Sequence, residues 1–413
     1  MLDRVSSPAS DEAPQPARFL SIFRRVTTSG AFIPEIDGLR FIAISSVLVF
    51  HIATGLAVRA PHAFGRPEEG AIATAVWNGF RGVELFFVIS GFILGLPFAA
   101  HALQGRPRVD LKQYLARRLT RLEPPYVLCM MLLFALHVLV RHRSAAGLFP
   151  HLVASLAYVH NAVYASESPI NNVTWSLEIE VQFYLLAPLL ASVFLIRNKL
   201  ARRAATVAIC AASATAAWLF IPPGGRAHLS ILRFGHFFLI GFLLADVYLV
   251  DWRERPARSW SWDALSVLGW PLLFLFLAGA SRPEPGQALG HEPALTAFGF
   301  PVAVFLLYCA AFRGRASNRA VIQPLVTTIG GMCYTIYLLH NPVLGVILDR
   351  TVRLPATGVY GLDLLIQTAA AGVPVLLVSA VYFILVEKPC MRRDWPRRLL
   401  ARLQSTSAVM APR

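Results

Sequence analysis

Arg40 and His51 stand eleven residues apart in the apolar run 33–51, IPEIDGLRFIAISSVLVFH. At about 100° per residue that spacing returns to within ~20° of one helix face, about 16 Å further along the axis. A permanent cation near one end and a titratable imidazole three turns in, both aimed one way, point to a lined cavity. The plainer alternative is an arginine snorkelling to the headgroups above a satisfied interior histidine. Ionisable groups inside hydrocarbon are, however, functional candidates by default. A second constellation lies in TWSLEIEVQFYLLAPLL, which holds Glu178 and Glu180. The two are about 200° apart on a helical wheel, so only one can face a given cavity. Glu180 is expected at nearly the depth of His51, where a carboxylate would orient the imidazole and make it a better proton acceptor. The third is RRLTRLEPPY, a basic stretch expected in a loop, in which Arg118 and Arg121 at i and i+3 can grip one phosphate together. Ordinary membrane-proximal arginines would read the same way. Arg81 and Glu84, three apart, can pair with each other. Ser90-Gly91 lacks the surroundings of a nucleophile elbow, which speaks against a serine hydrolase triad.

The elements that must position these residues are membrane helices. Hydrophobic residues make up 56% of the 413 and charged residues 15%, against roughly 25% charged in soluble domains. Apolar runs recur down the whole chain, so an all-α polytopic membrane protein is expected, with about ten spans enclosing a central cavity. The spans fall near 37–58, 80–100, 124–140, 173–196, 204–222, 231–250, 264–280, 297–312, 325–347 and 367–386. The segment 147–163, interrupted by Pro150, His151 and His160, reads as re-entrant or interfacial. Gly79, Gly82, Gly91 and Gly95 should allow close helix packing. Residues 1–32 read as a polar, disordered segment without a removable signal peptide, although Phe19–Arg25 could lie on the membrane surface. Residues 33–392 form the membrane domain and 393–413 a basic tail. With ten spans most of the 38 Lys and Arg fall on the side that holds both termini, which predicts cytoplasmic termini. The net charge of +15 is therefore a topology signal and a match to anionic lipid headgroups, and gives no reason to expect nucleic acid. The five cysteines show no Cys-x-x-Cys spacing and read as small apolar residues rather than a disulfide or metal framework.

Taken in order, GLRFIAISSVLVFH, GVELFFVISGFIL, RRLTRLEPPY, WSLEIEVQFYLLAPLL, GMCYTIYLLHNPV and VEKP resemble the successive signatures of the membrane-bound acyltransferase 3 family. The resemblance runs from about residue 33 to 392. It implies transfer of an acyl group, usually acetyl, from cytoplasmic acyl-CoA to a hydroxyl of an extracytoplasmic glycan or glycosylated molecule, in a bacterial inner membrane. It also implies a set of roles. His51 would be the general base, oriented by Glu180, with an acyl-enzyme on His51 as the competing route. Arg40, Arg118 and Arg121 would hold acyl-CoA. Glu84, Trp175, Tyr184 and His340 would bind the acceptor. No permanently bound cofactor or metal is implied. Glu84, Val181 and Glu123 depart from the family pattern, which bears on the acceptor rather than on the reaction class. Many members carry an esterase-like domain after the last span, and none is expected in the roughly 27 residues that follow it here. The rival class is a transporter that uses the same buried polar groups as a substrate path, but no repeat symmetry of the transporter kind is visible.

Overall fold

A computed structural model describes residues 20–26, 32–64, 71–278, 293–392 and 395. The expectations for 1–32 and for the tail beyond 392 fall mostly outside these residues.

The apolar runs become helices because a chain in hydrocarbon must satisfy its own backbone polar groups. The helices are α1 (Pro34–Arg59), α2 (Gly82–Gln104), α3 (Leu111–Leu139), the short α4 (Ala145–Leu156), α5 (Trp175–Leu190), α6 (Lys199–Phe220) and α7 (Ile231–Val250). They continue with α8 (Trp260–Ala278), α9 (Ala294–Arg313), α10 (Pro324–Gly331), α11 (Cys333–Thr351) and α12 (Tyr360–Tyr382). Among the described residues there is no strand. Among the described residues eight helical segments are long and apolar enough to cross a bilayer, and nine if the bent pair α10–α11 counts as one span. Together with the apolar α8 they occupy the ten expected positions. This is an all-α, multi-pass membrane protein. Polar caps mark where several helices begin: Asp110 accepts from the Gln113 amide at 3.2 Å, and Asn198 from the Ala201 amide at 2.9 Å.

Four local readings are corrected. The arginine-rich stretch 117–121 is not a loop but the first part of α3, which runs on through Pro124 and Pro125. A proline leaves the carbonyl four residues earlier without its amide partner. The indole of Trp395 takes the Thr120 carbonyl at 3.0 Å, so the helix continues. The span expected at 325–347 is two helices bent by 71°. The bend brings Gly330 so close to the Asp37 backbone of α1 that any Cβ would collide with it. The last span does not stop near 386. After Tyr382 it widens into a π turn, Phe383–Glu387, and ends at Lys388–Cys390. Finally, residues 20–26 are docked rather than free: Arg25 pairs with Asp37 at 2.9 Å, and the Lys388 ammonium donates to the Ile22 carbonyl. The segment around 147–163 holds α4 and a separate short helix, His160–Tyr164; the 12 residues of α4 reach only about 18 Å, too short for a hydrocarbon core of about 30 Å.

The core is sealed where α2 crosses α7. Gly91 meets the Phe238 backbone of α7 and Gly241 the Val88–Phe92 backbone of α2, with no room for a Cβ on either. Next to this crossing Phe238 stacks on Phe183 of α5 at 4.0 Å and on Phe87 of α2 at 4.8 Å. Asp246 of α7 holds both Arg202 and Arg203 of α6, the latter at 2.7 Å.

Candidate active site

Two cavities lie beside each other between α1, α2, α5 and α11. The first is lined by Arg40, Arg118, Arg121, Glu180, Tyr184 and Glu387, with Ser90, Cys333 and Tyr334 among the rest. All three arginines singled out in the sequence thus converge on one space, although they come from α1 and α3. Asp37 fixes the first of them. Its buried carboxylate accepts from Arg40 at 2.8 Å and from Arg25 at 2.9 Å, so the Arg40 guanidinium is aimed before any ligand arrives. Arg118 lies over the Tyr184 ring, 6.0 Å from its centroid. The Nε of Arg121 is buried without a hydrogen-bond partner. A buried guanidinium nitrogen left unmatched in a cavity that gathers three cations suits an anionic ligand with several oxygens.

The second cavity is lined by His51, Glu84, Glu167, Asn172, Trp175, His228 and Arg233, with Phe50, Phe80 and Phe234. Polar groups converge here between aromatic faces, a composition that fits a hydroxyl-rich ligand. His51 Nδ1 lies 2.9 Å from the Val47 carbonyl. A carbonyl only accepts, so Nδ1 carries the proton and Nε2 of the neutral ring keeps its lone pair. His340 is set in the same way, with Nδ1 against the Tyr337 carbonyl at 2.8 Å and the Ile336 carbonyl at 3.1 Å. The two rings meet edge to face, 4.9 Å between centroids.

Three expectations about this site need revision. Glu180 does not orient His51. Its carboxylate accepts from Ser90 Oγ at 2.7 Å and lies in the arginine cavity, while the Val47 carbonyl, one turn back on α1, sets the imidazole. Tyr184 also belongs to the arginine cavity rather than to the His51 side. His340 is fully buried behind His51 and lines neither cavity, so it cannot touch an acceptor in this arrangement. Trp175 and Glu84 do line the His51 cavity, and Glu84 also pairs with Arg81 at 3.4 Å.

Several members of the site had no assigned role in the sequence. Asp37 was legible as an acid three residues before Arg40, a spacing that allows a helical pair. Glu387, in VEKP, is the acid at the end of the final apolar run. It is fully buried, accepts from Thr335 Oγ1 and lines the arginine cavity. The π turn that it closes is a helix defect of the kind often found at functional sites. Glu167, Asn172 and His228 carry no spacing signal, because they come from connecting segments that only the fold brings together.

The acyltransferase domain model, that of the acyltransferase 3 family, matches residues 33–386. This chain belongs to that family. Among curated proteins the acyltransferase 3 chain is 26% identical over 340 residues to the peptidoglycan O-acetyltransferase OatA of Listeria monocytogenes. That alignment covers 78% of this chain and 51% of the relative. It is 29% identical over 185 residues to O-acetyltransferase OatA of Staphylococcus aureus (41% of this chain, 26% of the relative). It is also 26% identical over 334 residues to the putative peptidoglycan O-acetyltransferase YrhL of Bacillus subtilis (76% and 49%). The chain thus spans about half the length of the first and third of these relatives and a quarter of the second. No solved structure matches it.

Proposed function

We propose that this protein transfers a short acyl group, acetyl above all, from acyl-CoA to a hydroxyl of an envelope glycan. The observation that carries the proposal is the pairing of the two cavities. One gathers Arg40, Arg118 and Arg121 around a buried unmatched Nε. The adjoining one presents His51 with Nε2 free, amid polar and aromatic side chains. The donor's phosphates sit on the arginines, on the cytoplasmic side of a bacterial inner membrane, and its pantetheine arm runs toward His51. The acceptor enters the His51 cavity from the opposite face, where Trp175 offers a flat surface to a sugar ring. The family and the relatives' names support an acyl transfer to a glycan.

In the chemistry proposed, His51 Nε2 takes the proton of the acceptor hydroxyl as its oxygen attacks the thioester carbonyl. The tetrahedral intermediate collapses, the C–S bond breaks, and the imidazolium returns its proton to the departing CoA sulfur. The Val47 carbonyl suits this task, because a Nδ1–H held by a neutral acceptor remains in place when the ring becomes a cation. Glu180, on the donor side, completes the polar lining near Ser90 rather than tuning the base.

The test is mass spectrometry of envelope glycans from cells with wild-type protein, with His51→Ala and with none, joined to acyl-CoA binding by the purified protein. An acetyl mass shift should appear with wild type only, since removing a general base costs about 10²–10⁴-fold in rate. Arg118→Ala should weaken acyl-CoA binding by about tenfold or more, the worth of a charge-assisted hydrogen bond. A shift that survives His51→Ala would return His51 to a packing role, and unchanged affinity in Arg118→Ala would remove the phosphate role.

A further inference from the structure

The two cavities share a wall, and the side chain in it belongs to neither the arginine set nor the histidine pair. Tyr337 of α11 lines both cavities, as does Val83 of α2. Both are buried. The Tyr337 ring stands edge-on to Phe86, 6.1 Å between centroids, and 5.7 Å from His340. Its hydroxyl is held at both of its capacities. The single O–H donates to the Val173 carbonyl at 2.8 Å, so the Ser176 hydroxyl, 2.7 Å away, must donate to it. Val173 and Ser176 flank the entry to α5, so the phenol is clamped to the end of α5 where Trp175 stands.

We propose that Tyr337, backed by Val83, is the partition between donor and acceptor cavities and sets the length of acyl group that can be transferred. This rests on the donor–acceptor reading above. A donor whose phosphates sit among Arg40, Arg118 and Arg121 reaches His51 only past this ring. An acetyl group is small enough to present its carbonyl there. Each added methylene must displace the ring or fold back toward Phe86. Two hydroxyl bonds are a modest restraint, so the ring can swing aside for the reacting end and close again. A longer chain would hold it open. The partition also keeps acceptor-side water from the waiting thioester.

The experiment uses the full chain in sealed membrane vesicles, with Cys129, Cys210, Cys309 and Cys390 replaced by serine. Cys333, which lines the arginine cavity, is then the only cysteine. A membrane-impermeant sulfonate-bearing methanethiosulfonate is applied from one face or the other. With Tyr337 present, Cys333 should label from one face only. With Tyr337→Ala, or with Tyr337→Leu where alanine impairs folding, it should label from both, while Tyr337→Phe, which keeps the ring, should stay one-sided. In a parallel arm, hexanoyl-CoA is compared with acetyl-CoA as donor to glycan. The hexanoyl-to-acetyl rate ratio should rise about tenfold or more in the shortened variants, the scale on which a pocket discriminates added methylenes. One-sided labelling of Tyr337→Leu, two-sided labelling with Tyr337 intact, or an unchanged rate ratio would overturn the proposal. The labelling arm needs no turnover. One-sided labelling of a chain that transfers no acyl group from either donor would therefore retain the wall, remove its part in chain length, and bring down the transfer reading instead.

Discussion

His51 and Glu180 show how a single residue's surroundings decide its job. The imidazole takes its tautomer from the Val47 carbonyl, and the carboxylate is committed to Ser90 in the cavity of the arginines. Glu180 therefore shares a cavity with Arg40, Arg118 and Arg121, and its negative charge would oppose the polyanionic donor proposed for that cavity. Glu180→Gln keeps the hydrogen-bond acceptor and removes the charge. Steady-state kinetics of this variant should show a lower KM for acyl-CoA, by about threefold or more, with the glycan KM within about twofold. A shift confined to the glycan KM would return Glu180 to the His51 side. Asp37 belongs at this scale too, since one carboxylate orients Arg25 and Arg40 together.

Between elements, small residues and helix defects fix the register. The α2–α7 crossing depends on Gly91 meeting the Phe238 carbonyl and Gly241 meeting that of Val88. A methyl group at Gly91 has nowhere to go, because the atoms it meets are backbone. Gly91→Ala should destabilise the protein by about 1–3 kcal/mol, the usual cost of overpacking, read as a lower melting temperature in detergent. Gly147→Ala, whose Cβ would make ordinary contact with Ser144, is the control and should melt like wild type. Equal melting of the two variants would mean that the helices separate more freely than this crossing implies. The bend between α10 and α11 and the π turn Phe383–Glu387 act at the same scale. The first brings Gly330 against α1, and the second ends at Glu387 on the arginine cavity.

The whole molecule is a helical bundle with an arginine cavity at the level where α1 begins and a histidine cavity about three turns further along it. The distribution of Lys and Arg predicts that the arginine cavity faces the cytoplasm. A green fluorescent protein fused after Arg413 should then fluoresce, and alkaline phosphatase fused there should be inactive. Alkaline phosphatase inserted near Ser166, between α4 and α5, should be active. Active phosphatase at the C-terminus would invert the orientation and place donor entry on the outer face.

The sequence by itself determined what depends on local chemistry. Apolar run length located the spans, because a backbone in hydrocarbon has no alternative to the helix, although α3 begins at Leu111, well before its apolar run. The residue types Arg40, Arg118, Arg121 and His51 marked the candidates, since such groups do not enter a bilayer without a reason, and the fold brings the three arginines to one cavity. Only the tertiary structure decided who meets whom. Whether Glu180 reaches His51 or Ser90 depends on the relative heights of α1, α2 and α5, and those are set by glycine contacts between helices distant in sequence. The kink after Gly331 and the π turn through Phe383–Glu387 leave no mark in hydropathy. Tyr337 looked like one more aromatic of an apolar helix. Its position between two cavities arises because Val173 and Ser176, more than 160 residues earlier, supply the two partners of its hydroxyl.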